Sequence, residues 1–207
     1  MDLRGIERLW KSRENILLIL RLRNYEVKKS DDMTIEQFVE WADEMGFCDK
    51  IQDMTLSYSK KDGQRIKVYW PSEPKLGGSE YRTISSDMES ENLRHAIIVI
   101  RDSVTPHAQT TLRYLISQKI YINVFKMDEL QINIFIHEKV PEHTVCTSAE
   151  KKALMSCYKI VPSQIPKLRL TDPVVRRLGA IRGELIQIKE ESDTMPGYYV
   201  LSYRLVG

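Results

Sequence analysis

The sequence predicts an α/β segment over residues 1–136, followed by a small α+β segment over 137–207. Three observations carry this. Ala96-Ile97-Ile98-Val99-Ile100 is a short continuous apolar run, as expected of a strand buried on both faces. A helical segment and a second apolar strand, Tyr121 to Phe125, come next, and strand–helix–strand order implies a parallel pair with a right-handed crossover. At His137 the texture changes, and Glu138-Lys139-Val140-Pro141-Glu142-His143 is a polar, proline-containing boundary.

The elements follow in order. Over residues 3–24, Ile6, Leu9, Trp10, Ile16, Leu17 and Leu20 recur at three- and four-residue steps, which predicts an amphipathic helix. Lys11, Arg13, Arg21 and Arg23 are interspersed and are expected on its solvated face. Thr34-Ile35-Glu36-Gln37 is a capping box opening a second helix, with Ile35, Phe38, Val39, Ala42 and Met45 inward and Gly46 as its stop. Met54, Leu56 and Tyr58, then Ile66, Val68 and Trp70, alternate with polar residues around Asp62-Gly63, the pattern of a hairpin. Pro71 to Gly78 is a loop. Residues 79–92 form a polar helix with Tyr81, Ile84 and Met88 on one face. Thr105 caps a helix that starts at Pro106, where the missing N–H costs nothing, and Leu112, Leu115 and Ile116 carry it.

In the second segment, Thr147-Ser148-Ala149-Glu150 is another capping box, with Ala153, Leu154 and Cys157 expected inward. Ile165, Leu168 and Leu170 predict a short strand. Asp172-Pro173 opens a short helix that Gly179 closes. Glu184 to Lys189 and Tyr198 to Val206 are two strands joined near Pro196-Gly197.

Composition narrows the function classes. Of 207 residues, 42% are hydrophobic and 29% charged, which argues for a globular chain and against a disordered one. The 31 basic and 29 acidic residues leave a net charge of +2, with no global pull toward nucleic acid. Residues 137–207 carry 11 Lys/Arg against 8 Asp/Glu, only mildly basic, so a free DNA-binding factor is disfavoured. The apolar run Ile16 to Leu20 is too short for a membrane span, and no membrane association is expected. The start Met1-Asp2-Leu3-Arg4 lacks the features of a signal peptide. Three widely spaced cysteines form no disulfide framework, so a reducing compartment is expected.

Candidate chemistry is sparse. His137, His143, Cys146 and Cys157 are potential zinc ligands, but they lack the tight Cys-x-x-Cys knuckle of structural sites. Asp62, Glu73 and Lys75 imitate the carboxylate-and-lysine spacing of one class of Mg²⁺-dependent nuclease. Asp62 is also the natural turn residue before Gly63, and Glu73-Pro74-Lys75 falls in a loop between prolines, where a catalytic pair should share a strand. No phosphate loop and no nucleophile elbow occurs. The residues therefore favour an interaction or scaffold role, with no cofactor and no catalytic or metal site.

An ordered series of motifs goes further. It comprises Val140-Pro141-Glu142-His143, Ser148-Ala149-Glu150-Lys151-Lys152-Ala153-Leu154, Gln164-Ile165-Pro166-Lys167-Leu168, Asp172-Pro173-Val174, Leu178-Gly179-Ala180-Ile181-Arg182-Gly183-Glu184 and Ser202-Tyr203-Arg204-Leu205-Val206. The series resembles the fifth-subunit family shared by the eukaryotic nuclear RNA polymerases. It is also similar to the small archaeal RNA polymerase component that corresponds to the C-terminal segment alone. Arg8-Leu9-Trp10-Lys11, Arg23-Asn24-Tyr25 and Val104-Thr105-Pro106 extend the resemblance to the first segment.

The resemblance implies a nuclear, non-catalytic polymerase subunit. Residues 1–136 would be an α/β jaw domain of truncated nuclease-like topology, and 137–207 an α+β assembly domain docking on the largest subunit. The implied partners are that subunit, other core subunits, transcription factors at the jaw and, weakly through its backbone, downstream duplex DNA. Pro141 and His143 would order the turn between the modules. Asp172 and Pro173 would start the short helix, displaying Arg176 and Arg177. Arg182, Gly183 and Arg204 would form or support the large-subunit contact, and Thr105 and Pro106 would lie nearest the DNA. The final hairpin, Ser192 to Tyr199, is longer than that family's usual form.

Overall fold

The computed structural model describes residues 3–44, 51–192, 194–195 and 197–207. It divides into two compact units, Met1–Ile132 and Asn133–Gly207. Met45 and Gly46, expected to end the second helix, lie outside the described residues.

The first unit is a sheet with helices on both faces. Helices α1 (Leu3–Leu22) and α2 (Ile35–Glu44) precede the hairpin β1 (Leu56–Ser59) and β2 (Arg65–Tyr69). Then come α3 (Gly78–Ser90), β3 (His95–Ile100), α4 (Pro106–Ser117) and β4 (Tyr121–Lys126). The sheet order is β1-β2-β3-β4, with β1 antiparallel to β2 and the other pairs parallel. Gly63 holds the hairpin turn at φ +83°, a conformation glycine adopts without steric cost.

Strand periodicity sorts the core. Ile66, Val68, Trp70, Ile97, Val99 and Phe125 pack with Leu9, Ile16, Leu20 and Phe38 of α1 and α2. Tyr69, Ala96, Ile98 and Ile100 pack with Tyr81, Ile84 and Met88 of α3 on the opposite face, joined by Leu112 and Leu115 of α4. Successive residues of β3 thus serve alternate cores, as the continuous apolar run requires. The Thr34 capping box forms: its N–H donates to Gln37 Oε1 at 3.0 Å and its hydroxyl accepts from the Gln37 N–H at 3.4 Å.

The basic face expected on α1 is not all solvated. Arg13 and Arg23 are 6% and 9% exposed. The connection between α1 and α2 folds back over Arg13, whose guanidinium donates to the Asp31 carbonyl at 2.6 Å. Tyr58 of β1 donates to the Asp31 carboxylate and Trp10 to the Met33 carbonyl, both at 2.8 Å. These bonds satisfy polar groups that the packing takes out of water. Only the outer positions behave as expected: Lys11 pairs with Glu7 and Arg21 with Asp32. Met54 is also corrected. It is buried, but in a 3-10 turn, Ile51–Met54, ahead of the strand.

The second unit has the sheet order β5-β7-β8-β6. Its elements are β5 (Glu142–Val145), α5 (Ser148–Tyr158), β6 (Lys167–Leu168), α6 (Pro173–Leu178), β7 (Leu185–Glu191) and β8 (Tyr199–Val206). Val175, Ala180, Ile186, Ile188 and Val206 form one small core, and Ile165, Leu185 and Leu205 another, against Leu154 and Met155 of α5. Ala153 and Cys157 are exposed, contrary to expectation. The helix meets the sheet along the narrow line Lys151, Leu154 and Met155, so neighbouring apolar positions turn outward. Leu170 likewise lies beyond the two-residue β6 and is 45% exposed. No helix among the described residues is long and apolar enough to cross a membrane.

One half-buried histidine makes the first unit sensitive to acid. His95 stacks on Tyr121 with ring centroids 5.3 Å apart, and its Nε2 meets Gln64 Nε2 at 2.7 Å. Burial first, then the charges of Lys60, Arg23 and Arg94 against a weaker opposing pull from Asp62, lower its pKa from 6.5 to about 4. Between those values the unfolded chain binds the extra proton, so this stability is complete above pH 6.5 and is lost as pH falls toward 4. All three tryptophans, Trp10, Trp41 and Trp70, lie in this unit. Their fluorescence in urea titrations will therefore show the midpoint falling over that window more steeply in the native sequence than in His95→Gln.

Candidate interaction surfaces

In the second unit, the polar groups around α6 are organised by local chemistry. Asp172 caps the helix, accepting from the Val174 and Val175 N–H groups at 2.8 and 3.2 Å. Pro173 takes the first position, and Gly179 ends the helix at φ +70°. This geometry corrects the expectation for Arg177. It is not displayed but 5% exposed, turning back along its own helix to donate to the Pro173 carbonyl at 3.3 Å. Val175, fully buried two residues earlier, lies about 200° away around the helix, so this six-residue helix is covered on two sides. Arg176 is half-buried.

Arg182 is exposed at the turn between α6 and β7. Gly183 follows at φ +90°, where a side chain would be strained whatever the space around it. Its N–H donates to the Val206 carbonyl at 2.8 Å, and its carbonyl accepts from Lys151 Nζ at 2.6 Å. Glu184 closes the turn by accepting from the Ile181 N–H at 2.8 Å. Gly183 is thus the point where α5, the turn and the last strand are tied, leaving Arg182 outside. Arg204 stands opposite Ile186 in the β7–β8 register, half-buried. His143, in β5 opposite Ile188, holds its Nδ1 2.7 Å from the Pro141 carbonyl.

The larger apolar surface of this unit is one that reading the sequence missed. Tyr198, Tyr199, Val200 and Leu201 are each about half exposed or more, at 67%, 58%, 53% and 49%. β8 pairs with β7 from Tyr199 to Leu205, but with β6 only at Leu205 and Val206. Residues 199–204 therefore have no strand on their other edge among the described residues. The signal was present: Tyr198-Tyr199-Val200-Leu201 is continuously apolar where an ordinary half-buried strand alternates. Asp193 and Pro196 of the adjoining hairpin lie outside the described residues.

In the first unit, Thr105 and Pro106 sit after β3 at the C-terminal edge of the parallel strands. Leu76 and Val104 form a parallel bridge. The Thr105 N–H and hydroxyl both donate to the Leu76 carbonyl at 3.2 Å, and its Oγ1 accepts from the Ala108 N–H at 3.4 Å. Thr105 is half-buried in this stitch, while Pro106 is exposed at the start of α4.

The nuclease-like triplet does not converge. Asp62 accepts from the Gln64 N–H in the hairpin turn, whereas Glu73 and Lys75 lie beyond the other end of β2. The five-residue strand between them spans about 16 Å at roughly 3.3 Å per residue. Lys75 instead lies 3.7 Å from Asp102. No three His, Cys, Asp or Glu side chains among the described residues gather as a metal-binding group.

Comparison with known proteins bears on both units. Residues 4–88 match the sequence profile described as RNA polymerase Rpb5, N-terminal domain, and residues 132–206 that described as RNA polymerase Rpb5, C-terminal domain. A Caenorhabditis elegans protein named DNA-directed RNA polymerases I, II, and III subunit RPABC1 is 33% identical over 204 residues, covering 96% of this chain and 95% of its own. The Dictyostelium discoideum protein of the same name is 32% identical over 202 residues, with 97% and 98% covered. An Arabidopsis thaliana protein, DNA-directed RNA polymerase subunit 5-like protein 1, is 28% identical over 207 residues, with 96% of each chain covered.

The cap at Asp172 gives a local prediction. Asp172→Ala leaves the first N–H groups of α6 without their acceptor and destabilises the helix by about 1 kcal/mol. Amide hydrogen exchange at Ala180, whose N–H bonds to the Val175 carbonyl, will accelerate about fivefold.

Proposed function

The chain belongs to the RNA polymerase Rpb5 family, and on that premise we propose that it is a non-catalytic structural subunit of a multisubunit DNA-directed RNA polymerase working in the nucleus. The observation that carries this beyond kinship is the open edge of β8 with its exposed Tyr198, Tyr199, Val200 and Leu201. An unpaired edge bearing large apolar side chains is a liability in a free chain and a docking surface in a complex.

Within this reading, residues 137–207 form the assembly domain and dock on the largest subunit. Arg182, exposed beside the Gly183 tie, makes charge-assisted bonds to that partner's carboxylates or carbonyls, together with Arg176 and Arg204. Arg177, Asp172, Pro173, Pro141 and His143 contribute by holding the backbone that presents them. Residues 1–136 form the jaw, a truncated nuclease-like α/β domain. Pro106 and the Thr105 turn face downstream DNA and touch its phosphates without reading bases. Transcription factors meet the same jaw. The separation of Asp62 from Glu73 and Lys75 argues against the nuclease reading built on them.

Affinity purification of the tagged chain from its native cell, after a high-salt wash, tests the reading. Mass spectrometry will recover the two large polymerase subunits in stoichiometric amounts; recovery of the chain alone would overturn the assignment. Arg176→Glu combined with Arg182→Glu will reduce that recovery at least about tenfold, since charge-assisted bonds are worth roughly 1.5–3 kcal/mol each. Circular dichroism will show the fold intact.

A further inference from the structure

A pocket of about 260 Å³ opens in the first unit between the end of β2 and α3. It is smaller than the roughly 300–1,000 Å³ of sites for drug-sized ligands, and of a scale for one side chain. Tyr69, Trp70 and Pro71 supply one side, and Glu80, Ile84 and Asp87 of α3 the other. Glu80 and Asp87 lie two helical turns apart on one face, about 10 Å along the axis.

Two lining residues carry buried polar atoms without partners. Trp70 is 1% exposed, and its indole N–H has no hydrogen-bond partner among the described residues. Glu80 uses Oε1 to accept from the Glu73 N–H at 2.9 Å, while its buried Oε2 has no partner among them. Folded proteins rarely leave such groups unmet, and each one calls for a physical explanation. Asp87 is already engaged by Lys67 Nζ at 2.7 Å and the Tyr69 hydroxyl at 2.6 Å. Arg101, whose charge reaches Glu80, donates to the Ser72 carbonyl instead. Burial raises the Glu80 carboxyl above its ordinary value, and the nearby Glu73 charge acts in the same direction.

We infer that this pocket receives an arginine side chain from a partner polypeptide, its guanidinium donating to Glu80 Oε2. A guanidinium is weakly hydrated, and its methylene stem covers apolar surface such as Pro71 and Ile84. An anionic guest would meet Glu80 and Asp87, and a purely apolar one would leave Glu80 Oε2 unmet.

The test uses the full-length chain, its assigned Trp70 indole N–H resonance and two small probes. These are N-acetyl-arginine N-methylamide and its neutral counterpart, N-acetyl-citrulline N-methylamide. The arginine probe will shift the Trp70 resonance saturably. Binding will be at least about tenfold weaker for the citrulline probe, and for the arginine probe with Glu80→Gln, as expected for loss of one charge-assisted hydrogen bond. Thr83, an exposed lining residue, provides a second variant: Thr83→Lys places the chain's own cation at the pocket and will abolish the shift without disturbing the core. Absence of a saturable shift, equal affinity for the two probes, or unchanged binding in both folded variants would overturn the inference.

Discussion

The first unit depends on the burial of β3 on both faces. Residues Ala96 to Ile100 are all 2% exposed or less, so the strand is stable only if helices cover it twice. That constraint sets the order of the chain. α1 and α2 supply one cover before the sheet begins, while α3 and α4, running between parallel strands, supply the other. It also explains the buried cations. Once α1 is pressed against β2, β3 and β4, the helix has little free circumference, and Arg13 must find an acceptor in the connection beside it. Each full burial of a side chain such as Ile97 contributes roughly 1.5–3 kcal/mol, enough to carry the cost of ordering these polar contacts.

A parallel arrangement places the C-terminal ends of β2 and β3 side by side, and the features facing outward arise there. The segments after β2 and β3 are held together by the Leu76–Val104 bridge and the two bonds from Thr105 to the Leu76 carbonyl. Thr105 is consumed as a structural clamp, which leaves Pro106 as the exposed element of that pair. The same edge leaves Tyr69 and Glu80 lining one pocket from the sheet side and the helix side. The sheet thus supplies rigid mountings for short irregular segments, and binding groups are displayed on such segments because the scaffold beneath them does not move.

What the sequence made legible follows from how local each signal is. Capping boxes at Thr34 and Thr147, the cap and proline at Asp172-Pro173, and the Asp62-Gly63 turn all involve partners within a few residues, and all form as expected. The apolar run at β3 was equally readable, because burial on both faces needs no knowledge of which helix covers which face. Failures came where distant contacts decide. Cys157 and Ala153 fit an apolar face by spacing, yet α5 packs through Leu154 and Met155 and leaves them exposed. Arg177 read as displayed because charge predicts exposure, but this six-residue helix is covered on two sides and Arg177 bonds back to the Pro173 carbonyl. The ordered motif series identified the family where no single residue did, since kinship is written across the whole chain and a contact surface is not.

The second unit shows why a small module of this kind reads as part of something larger. Its 75 residues, Asn133 to Gly207, divide their interior between two small cores on opposite faces of one sheet. β7 is flanked by β5 and β8 over most of its inner half, whereas β8 continues past the reach of β6. The extension costs the isolated chain an unpaired backbone edge and four exposed apolar side chains, which a monomer of this size gains nothing by displaying. In an assembly the same features change sign. A neighbouring chain that covers Tyr198 to Leu201 removes apolar area from water and supplies acceptors and donors to the open edge, so the stability missing from the module is recovered at the interface.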